Sequence, residues 1–521
     1  MSSPSRVTDP RIRAAYAEGA GIYRIVPQAV AIPDSVDAVQ RLVRWAAETA
    51  TPLVPRGAGS AMPGNNVGGG VIVDCTRGFG GVTIDTHRRI ARAGAGATWR
   101  EVTEAARPHG LRLPPDPSSG AFATSGGMAA TNAAGPRSVR CGSVRNWIEA
   151  LEIVGADGEV RRVERGAGSG ERFQLSADER RIVAARFPKT RKNSSGYALD
   201  ALVASGDELD LLIGSEGTLA FTTAVEWRLE PTPPDAAGLA IGLRDVDALG
   251  DAAPFLVSLN PSAVELLDAT LLAYLGKEAG VPDGLACLLL VEFERETAAA
   301  ARGVVGDAVR GLREFTAHVE TAVDRAGLEQ LWAVRRLASP ALARLPATRR
   351  SLQVIEDGCV PLEQLGAYVT GLRTAAAIRG IPVALFGHAG DGHVHANALP
   401  DLTQAGWRDG LAGLYDDVAA LLTSLGGTPS GEHGDGRLRA GLIERVFGAE
   451  VMEMFRAVKR AYDPRGILNP GVILPSAGWS PLAELKVGPG AASLPDDIAS
   501  RLRDMERNAS WGTPKLELAR P

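Results

Sequence analysis

The stretch that decides the fold class is residues 26–75, VPQAVAIPDSVDAVQRLVRWAAETATPLVPRGAGSAMPGNNVGGGVIVDC. Residues 26–33 have the composition of a strand. Asp34 or Ser35 is placed to cap a helix that runs to about Ala50, because its apolar residues recur at helical spacing after a capping side chain. The stretch therefore begins with a strand followed by an amphipathic helix.

The pattern continues beyond that helix. Residues 52–55 and 71–75 are short apolar segments that read as strands, and a glycine-rich loop at 56–70 separates them. A strand at 90–97 then precedes a helix capped by Thr98. This alternation predicts a domain in which strands and helices are mixed.

Composition describes an ordinary globular protein. The chain has 521 residues, 45% hydrophobic and 22% charged, which excludes a disordered chain and favours two or three domains. A net charge of -5 excludes a nucleic-acid binder of the usual basic kind. The sequence contains no apolar run of transmembrane length and no N-terminal secretory signal, so we expect a cytoplasmic protein.

The four cysteines, Cys75, Cys141, Cys287 and Cys359, are far apart in sequence. No CxxC pair is present, so we expect neither a zinc ribbon nor an iron–sulfur ligand set. Scattered thiols in a chain of this length indicate a reducing compartment.

A domain boundary is predicted at residues 231–238, PTPPDAAG, which is rich in proline and lies between two apolar regions. Beyond it, apolar strands alternate with helices rich in alanine, leucine and arginine. This texture predicts a second α+β domain, an antiparallel sheet with helices on one face.

Histidines provide the sharpest chemical signal. The segment 383–398, VALFGHAGDGHVHANA, has a tight-turn signal between two apolar runs and predicts a hairpin that places His388 opposite His393. Strand alternation places His393, His395 and Asn397 on one face. Imidazoles that converge from two adjacent strands favour a transition-metal site.

A second segment, SGEHGDG at 430–436, adds the carboxylate of Glu432 and the imidazole of His433. Two histidines and one carboxylate form a ligand set that leaves coordination positions open. His433 would then be free to act as a base, because adjacent residues need not point to the same centre.

Two small-residue segments, 56–70 and 118–137, expose backbone amides that could bind a pyrophosphate. Neither segment matches the GxGxxG dinucleotide motif or a P-loop. The spacing alone leaves a phosphate site and a structural loop as open alternatives.

Taken together, these motifs resemble a known family in the right order. PLVPRGAGSAMPGN, PPDP, SGGMAATNAAGP, CGSVRNW and GSEGTLAF resemble flavin-binding segments of the FAD-linked oxidases of the vanillyl-alcohol oxidase and p-cresol methylhydroxylase superfamily. LWAVRR, FGHAGDGHVHAN, SGEHGDG and DPRGILNPG resemble its D-lactate, glycolate and D-2-hydroxyglutarate dehydrogenase branch.

The resemblance implies an α+β protein with a two-part FAD-binding domain of the p-cresol methylhydroxylase type at 1–232. A substrate (cap) domain at 233–430 would contain the antiparallel sheet and the metal-site hairpin. Residues 431–475 would return to the flavin site. The composition of residues 476–521, which is polar and contains proline and glycine, separately predicts a polar tail with a helix near 495–507.

The resemblance also implies site residues. Non-covalent FAD would contact Pro55, Arg56, Gly57, Ala58, Gly59, Ser60, Ala61, Asn65, Pro115, Asp116, Ser125, Gly126, Gly127, Asn132, Ala133, Gly135, Glu216, Gly217 and Asn469. A divalent metal, either zinc, manganese or iron, would bind to His388, His395 and Glu432.

For the reaction, the resemblance implies oxidation of a small D-2-hydroxy acid to the 2-oxo acid. Arg335 would pair with the substrate carboxylate, and His433 would take the hydroxyl proton while a hydride passes to the flavin. Ser339 lies one helical turn after Arg335 on the same face. Asn397 would orient the substrate. Strand alternation turns His393 toward the site, where a substrate contact or a contact with a metal ligand is favoured over a role as fourth metal ligand, because a catalytic metal keeps a position open.

Three positions depart from the family pattern. Ala61 stands where a glycine is usual, Cys141 replaces an aromatic residue, and His393 replaces an asparagine. No histidine occurs in the first loop, so a covalent flavin link there is not expected.

The expected electron acceptor is external: a quinone, a cytochrome, an electron-transfer flavoprotein or a separate iron–sulfur subunit. A peripheral position at the inner face of the membrane stays open beside the cytoplasmic one. The alternatives are a flavoprotein subunit of a glycolate or lactate oxidase complex, a flavin oxidase of another alcohol, and a metal hydrolase without flavin.

Overall fold

The structure is a computed structural model that describes residues 5–520, with residues 278 and 279 described by their backbone alone. Its strands are β1 Ala29–Ala31, β2 Leu53–Arg56, β3 Val71–Asp74, β4 Val82–Asp85, β5 Ile90–Gly94, β6 Leu111–Arg112, β7 Ile148–Gly155, β8 Val160–Glu164, β9 Ala220–Arg228, β10 Glu230–Pro231, β11 Asp235–Leu243, β12 Ala263–Asp268, β13 Cys287–Arg295, β14 Thr316–Ala322, β15 Gly358–Cys359, β16 Val383–Gly387 and β17 His393–Ala398.

The α-helices are α1 Pro10–Ala15, α2 Val36–Thr49, α3 Trp99–Ala106, α4 Ser125–Thr131, α5 Ser138–Cys141, α6 Ala177–Arg186, α7 Leu199–Ser205, α8 Glu208–Leu212, α9 Leu249–Ser258, α10 Ala269–Leu275, α11 Ala298–Gly311, α12 Arg325–Leu331, α13 Ala333–Ala343, α14 Leu365–Ile378, α15 Trp407–Ser424, α16 Ile443–Phe447, α17 Ala449–Tyr462, α18 Asp496–Arg507 and α19 Lys515–Leu518. Short 3₁₀ helices cover Arg107–His109, Val144–Trp147, Gly276–Ala279, Leu362–Gln364, Ala389–Asp391 and Ala440–Leu442.

The N-terminal elements form as the sequence predicts. Ser35 caps α2 by accepting a hydrogen bond from the backbone of Ala38, and the helix ends at Ala50 in the left-handed conformation. Thr98 caps α3 in a reciprocal capping box with Glu101. Strands β1, β3 and β2 pair in parallel, so the loop at 56–70 connects neighbouring strands.

A second, antiparallel sheet completes the first half of the chain. Its strand order is β4-β5-β9-β7-β8. Helix α4 packs against β9 and β5. The second glycine-rich segment, which contains α4, therefore lies between this sheet and the loop at 56–70.

The second half is built on a seven-stranded antiparallel sheet with the order β14-β11-β13-β12-β16-β17-β15. The prediction of helices on one face only is wrong. Helices α9, α11, α14 and α15 pack on one face, and α10, α12 and α13 pack on the other. The physical reason is visible in β12 and β13, whose buried apolar side chains point to both faces and need cover on both sides.

The predicted hairpin is confirmed as β16 and β17. Phe386 pairs with His395, and the backbone N–H of His393 donates to the carbonyl of His388 at 3.2 Å. Val394 and Ala396 pack into the core on the opposite face from His393 and His395. Strand alternation therefore places the imidazoles together.

The segment after residue 475, predicted as a polar tail with one helix, folds onto the rest of the protein. Leu485 pairs with Tyr23, and α18 begins where a helix was predicted. Ile498, Leu502 and Trp511 enter an apolar cluster with α1 and the parallel sheet. Across residues 5–520, no helix combines the length and the apolar character that a membrane crossing requires.

Candidate active site

A cavity of about 880 Å³ lies between the two halves of the chain. Its wall includes fourteen of the predicted FAD contacts: Pro55, Arg56, Gly57, Ala58, Gly59, Ser60, Ala61, Asn65, Gly126, Gly127, Ala133, Gly135, Glu216 and Gly217. The wall on the cap side includes Arg335, Ser339, Asn397, His395, Glu432 and His433. These predicted FAD-binding residues and these predicted substrate, base and metal residues therefore line the same cavity.

Five predicted FAD contacts do not line this cavity and lie behind its wall: Pro115, Asp116, Ser125, Asn132 and Asn469. Asn469 shows what such a residue does. Its side-chain amide donates to the carbonyls of Asn65 at 2.8 Å and Glu216 at 2.9 Å. It therefore joins the first loop to the loop around residue 216.

Close packing explains why small residues occupy the loops. A Cβ at Gly57 would overlap the hydroxyl of Thr124, which caps α4. Gly217 has φ +69°, and a Cβ there would lie 2.8 Å from Pro55. Ala61 is not among the residues with positive φ, so its departure from the family glycine causes no backbone strain.

The three predicted metal ligands lie side by side. Oε1 of Glu432 is 3.0 Å from Nε2 of His388 and 3.2 Å from Nε2 of His395. The two Nε2 atoms are 3.4 Å apart. Together with His393, these residues place ligand atoms within 4.8 Å of one another.

Charge at this cluster favours a cation. Burial lowers the pKa of His388, but the carboxylates of Glu265 and Glu432 outweigh it and raise the pKa to about 9. Burial raises the pKa of Glu432, yet Lys192 and His388 hold it well below its usual range. A buried carboxylate facing two imidazole nitrogens is a donor set that suits zinc, manganese or iron.

His433 lies at the edge of this cluster, with 30% of its side chain exposed. Its Nδ1 is 2.6 Å from Oε2 of Glu356, and its ring stacks on His395 at 5.0 Å. Burial lowers the pKa of His433, but the charges of Glu356 and Asp357 outweigh that effect and raise it to about 10. Because Nδ1 is engaged by Glu356, Nε2 is the nitrogen left for a ligand in the cavity.

Arg335 is buried in α13 beside the cavity. Its Nε donates to Glu265 at 2.7 Å, and its guanidinium lies over the ring of Phe386 at 4.6 Å. Within residues 5–520 its two terminal nitrogens make no hydrogen bond. Arg336 is exposed and donates to the carbonyl of Glu329, so it points elsewhere.

The other predicted substrate residues differ in their position relative to the cavity. Asn397 is buried at the cavity wall, and its Oδ1 accepts from Ser351 at 2.9 Å. Ser339 also lines the wall. His393 is not among the residues of the cavity wall: its side chain is 0% exposed, and Gly431 packs on its ring. Of its two predicted roles, this position favours a contact with the metal ligands over a contact with the substrate.

Sequence comparisons with known proteins identify the family to which this chain belongs. The family described as "FAD binding domain" matches residues 27–164, and "FAD linked oxidases, C-terminal domain" matches residues 232–473. D-lactate dehydrogenase of Archaeoglobus fulgidus is 31% identical over 449 residues, which cover 85% of this chain and 90% of that protein. The chain belongs to the FAD-linked oxidase family.

Other relatives of this FAD-linked oxidase agree. "Glycolate oxidase subunit GlcD" of Bacillus subtilis is 28% identical and covers 86% of this chain and 89% of that protein. D-2-hydroxyglutarate dehydrogenase of Escherichia coli is 28% identical and covers 88% of this chain and 49% of that protein. This FAD-linked oxidase is therefore an FAD-dependent oxidoreductase of the D-lactate, glycolate and D-2-hydroxyglutarate dehydrogenase branch.

Solved structures show the same fold. The 4-ethylphenol oxidase from Gulosibacter chungangensis has a TM-score of 0.65 at 17% identity and covers 90% of this chain and 94% of that chain. Alkyldihydroxyacetonephosphate synthase has a TM-score of 0.62 at 17% identity, with 89% and 83% coverage. The α+β architecture with a two-part FAD-binding domain is confirmed.

The loops of this FAD-linked oxidase fit the cofactor. The side chain of Arg56 donates to the carbonyls of Tyr16, Asn66 and Glu18, which fixes the first loop from behind. Gly57 and Gly59 then present backbone to the cavity without a side chain. Backbone held open in this way is suited to binding a pyrophosphate.

Sequence reasoning missed the charged residues that surround the site: Lys192, Glu265, Glu356, Asp357 and Arg439. A signal existed for Glu265, an acid flanked by apolar residues within the buried strand β12. Glu356 and Asp357 are adjacent acids between two buried segments. A charge in an apolar run needs a partner, and here the partners are the site residues.

Proposed function

We propose that this FAD-linked oxidase oxidises a D-2-hydroxy acid of the lactate, glycolate or 2-hydroxyglutarate type to the 2-oxo acid, with a divalent metal at the histidine–glutamate cluster. One observation carries the proposal. Arg335, His433 and two of the three proposed metal ligands, His395 and Glu432, line the cavity that the FAD loops also line; we assign them as a carboxylate-binding group, a base and part of a metal-ligand set. A flavin oxidase of another alcohol needs neither the carboxylate-binding group nor the metal-ligand set.

Arg335 is assigned to the substrate carboxylate. Its Nε is held by Glu265, and its aromatic neighbour Phe386 fixes the plane of the guanidinium. The two terminal nitrogens can then donate to two carboxylate oxygens in a forked contact. Since Arg335 and His433 line the same cavity, we place the 2-hydroxyl of a short acid at His433 when its carboxylate is held by Arg335.

His433 is assigned the role of the base. Glu356 holds Nδ1, so Nε2 accepts the hydroxyl proton, and the carboxylate stabilises the imidazolium that forms. Because Glu356 and Asp357 outweigh burial and raise the pKa of His433 to about 10, the neutral imidazole that can accept a proton becomes more populated as the pH rises. Arg439 donates to the other oxygen of Glu356 at 3.0 Å and keeps that carboxylate in place.

The cofactors supply the remaining chemistry. His388, His395 and Glu432 would hold the cation, which supplies polarisation of the substrate hydroxyl when bound. FAD supplies the hydride acceptor when bound. The reaction removes one proton and one hydride, and we place reoxidation with an external acceptor such as a quinone, a cytochrome, an electron-transfer flavoprotein or an iron–sulfur subunit.

A second candidate is the flavoprotein subunit of a multi-subunit glycolate oxidase. The observation that favours it is the similarity to the relative named glycolate oxidase subunit. The chemistry at the cavity would be the same in both cases. The two differ in the acceptor, and in whether the cytoplasmic protein that we propose works alone or within a complex at the membrane.

The test is anaerobic flavin reduction with matched D- and L-2-hydroxy acids. We expect D-acids to bleach the yellow of the bound flavin and L-acids to leave it. A 2-hydroxy amide of the same shape is the control, because it lacks the carboxylate that Arg335 binds. Bleaching by the amide at the same rate as by the acid would contradict the assignment.

A further inference from the structure

Each proposed metal ligand uses one polar atom toward the cluster and has the other held by a neighbour. Nδ1 of His388 is held by Glu265, and Nδ1 of His395 lies 3.2 Å from the carbonyl of Glu356. Partners of this kind fix ring orientation in metal sites. The third ligand, Glu432, has a partner of a different kind.

That partner is Lys192, which is buried and comes from the first half of the chain. Its Nζ lies 2.7 Å from Oε2 of Glu432. The other oxygen, Oε1, faces His388 and His395. The lysine therefore occupies one oxygen of the carboxylate and leaves the other for the cluster.

Lys192 also lies 3.3 Å from Nδ1 of His393, while Nε2 of that ring is 2.8 Å from Asp357. A carboxylate only accepts and an ammonium only donates, so Nε2 carries the proton and Nδ1 accepts from Lys192. Both ring nitrogens of His393 are thus engaged.

Asp357 is itself fixed. Its Oδ2 accepts hydrogen bonds from the hydroxyl of Ser430 at 2.7 Å and from the backbone of His433 at 2.9 Å. The carboxylate that holds His393 therefore also holds the loop that carries Glu432. His393 cannot turn toward the cluster without breaking its bonds to two charged neighbours.

We propose that Lys192 is a positioning residue that limits the metal to three protein ligand atoms, by occupying the second oxygen of Glu432 and the Nδ1 atom of His393. This inference rests on the metal-assisted function proposed above. One ring nitrogen of His393 lies within 4.8 Å of ligand atoms of His388, His395 and Glu432, so His393 is close enough to reach a cation bound by those three residues once it is released. A catalytic metal keeps one coordination position open for the substrate, and a fourth protein ligand atom would fill that position.

The experiment uses Co²⁺ as the probe, added to the FAD-loaded protein after its own metal has been removed by chelation. Equilibrium dialysis gives the Co²⁺ dissociation constant, and the visible d–d spectrum reports the coordination. In Lys192→Met we expect Co²⁺ to bind at least as tightly as in the wild type, with an altered spectrum. We expect turnover to fall about 10–100-fold, as for other changes around metal ligands.

His393→Asn is the matched variant. In the presence of Lys192 it should leave the Co²⁺ constant and spectrum unchanged, because His393 is not a ligand. In the double variant with Lys192→Met it should move the spectrum back toward that of the wild type. Should Lys192→Met fail to fold, a changed Co²⁺ spectrum in the single His393→Asn variant overturns the proposal.

The remaining outcomes separate the two proposals. Loss of Co²⁺ from Lys192→Met, or an unchanged spectrum, overturns the role of Lys192 alone. Failure of the wild type to bind Co²⁺ overturns metal assistance and this inference with it. A wild type that shows the expected Co²⁺ behaviour but oxidises no 2-hydroxy acid supports the role of Lys192 and contradicts the proposed substrate.

Discussion

Oε2 of Glu356 and Nδ1 of His433 are joined by a hydrogen bond of 2.6 Å, although the two residues lie 77 positions apart. The carboxylate is buried and the imidazole is partly exposed to the cavity. The pair therefore has one protected end and one open end, which is the arrangement that a base needs to take a proton from a ligand.

We expect His433→Ala to lower turnover by about 10²–10⁴-fold, the usual contribution of a general base. Glu356→Gln keeps a hydrogen-bonding group but removes the charge that stabilises the imidazolium, so it should lower turnover less. Steady-state rates with an artificial acceptor measure both. FAD content, read from the flavin absorbance, should stay at the wild-type level, and ordinary turnover in His433→Ala would remove this residue from the mechanism.

The metal assignment predicts that His395→Ala loses bound metal and turnover while FAD remains. The reason is that Nε2 of His395 faces Oε1 of Glu432, whereas the FAD loops come from other segments. Elemental analysis after dialysis measures the metal. His87→Ala is the control, since His87 is exposed, and equal metal content in the two variants would show that His395 is not a ligand.

Arg335→Lys should raise the apparent KM for the hydroxy acid by about tenfold or more, because a lysine cannot make the forked contact. Arg336→Lys is a matched control in the same helix, because Arg336 is exposed and bonds to the carbonyl of Glu329. Substrate titrations of both variants measure the two apparent KM values. The helical register assigned here is wrong if the effects are reversed.

Gly57→Ala should weaken FAD binding by about tenfold, or 1.4 kcal/mol. The new Cβ would overlap the hydroxyl of Thr124 and push the first loop away from α4. Gly69→Ala in the same loop is the control, because a Cβ there meets nothing within 4 Å. Fluorescence titration of the apoprotein with FAD measures both, and equal affinities would show that the packing at Gly57 is dispensable.

Lys515 predicts a pH dependence of stability. Burial and the charge of Arg56 lower its pKa to about 6, from an ordinary value of 10.5. Between these two values the unfolded chain binds a proton that the folded protein does not, so this lysine reduces stability as pH falls from 10.5 toward 6.

Lys515→Met removes this cost and should raise Tm by about 2 °C or more at pH 6. The gain should be smaller at pH 9, because the free-energy cost of keeping Lys515 unprotonated in the folded protein decreases as the pH approaches 10.5. Thermal unfolding at the two pH values measures the difference. Lys277→Met, at an exposed lysine, should show no such pH-dependent gain.

The sequence allowed the helices and strands, and the face of the β16–β17 hairpin that carries the histidines, to be predicted because both follow local rules. The side chains of Ser35 and Thr98 cap their helices by accepting hydrogen bonds from backbone N–H groups only three residues away. His395 and Asn397 share a face because strand side chains alternate. Neither result depends on distant parts of the chain.

The burial of individual side chains and the contacts between residues far apart in sequence could not be predicted in the same way. Alternation places His393 on the face of His395, but only the folded structure shows that its side chain is fully buried, with Gly431 packed on its ring. Lys192 meets Glu432 across 240 positions of sequence, and no local pattern marks such a pair. The helices on the second face of the large sheet depend on tertiary packing in the same way.

The folding back of the last helices has a consequence for how the protein is made. Arg11 donates to the carbonyl of Ala519, 508 positions later, and Arg503 and Trp511 form part of the cavity wall that the first loop also lines. On the ribosome, the glycine loop emerges long before this wall exists. A nascent chain thus has a cofactor cavity that is open on one side, so enclosure of FAD follows translation and depends on the docking of α18.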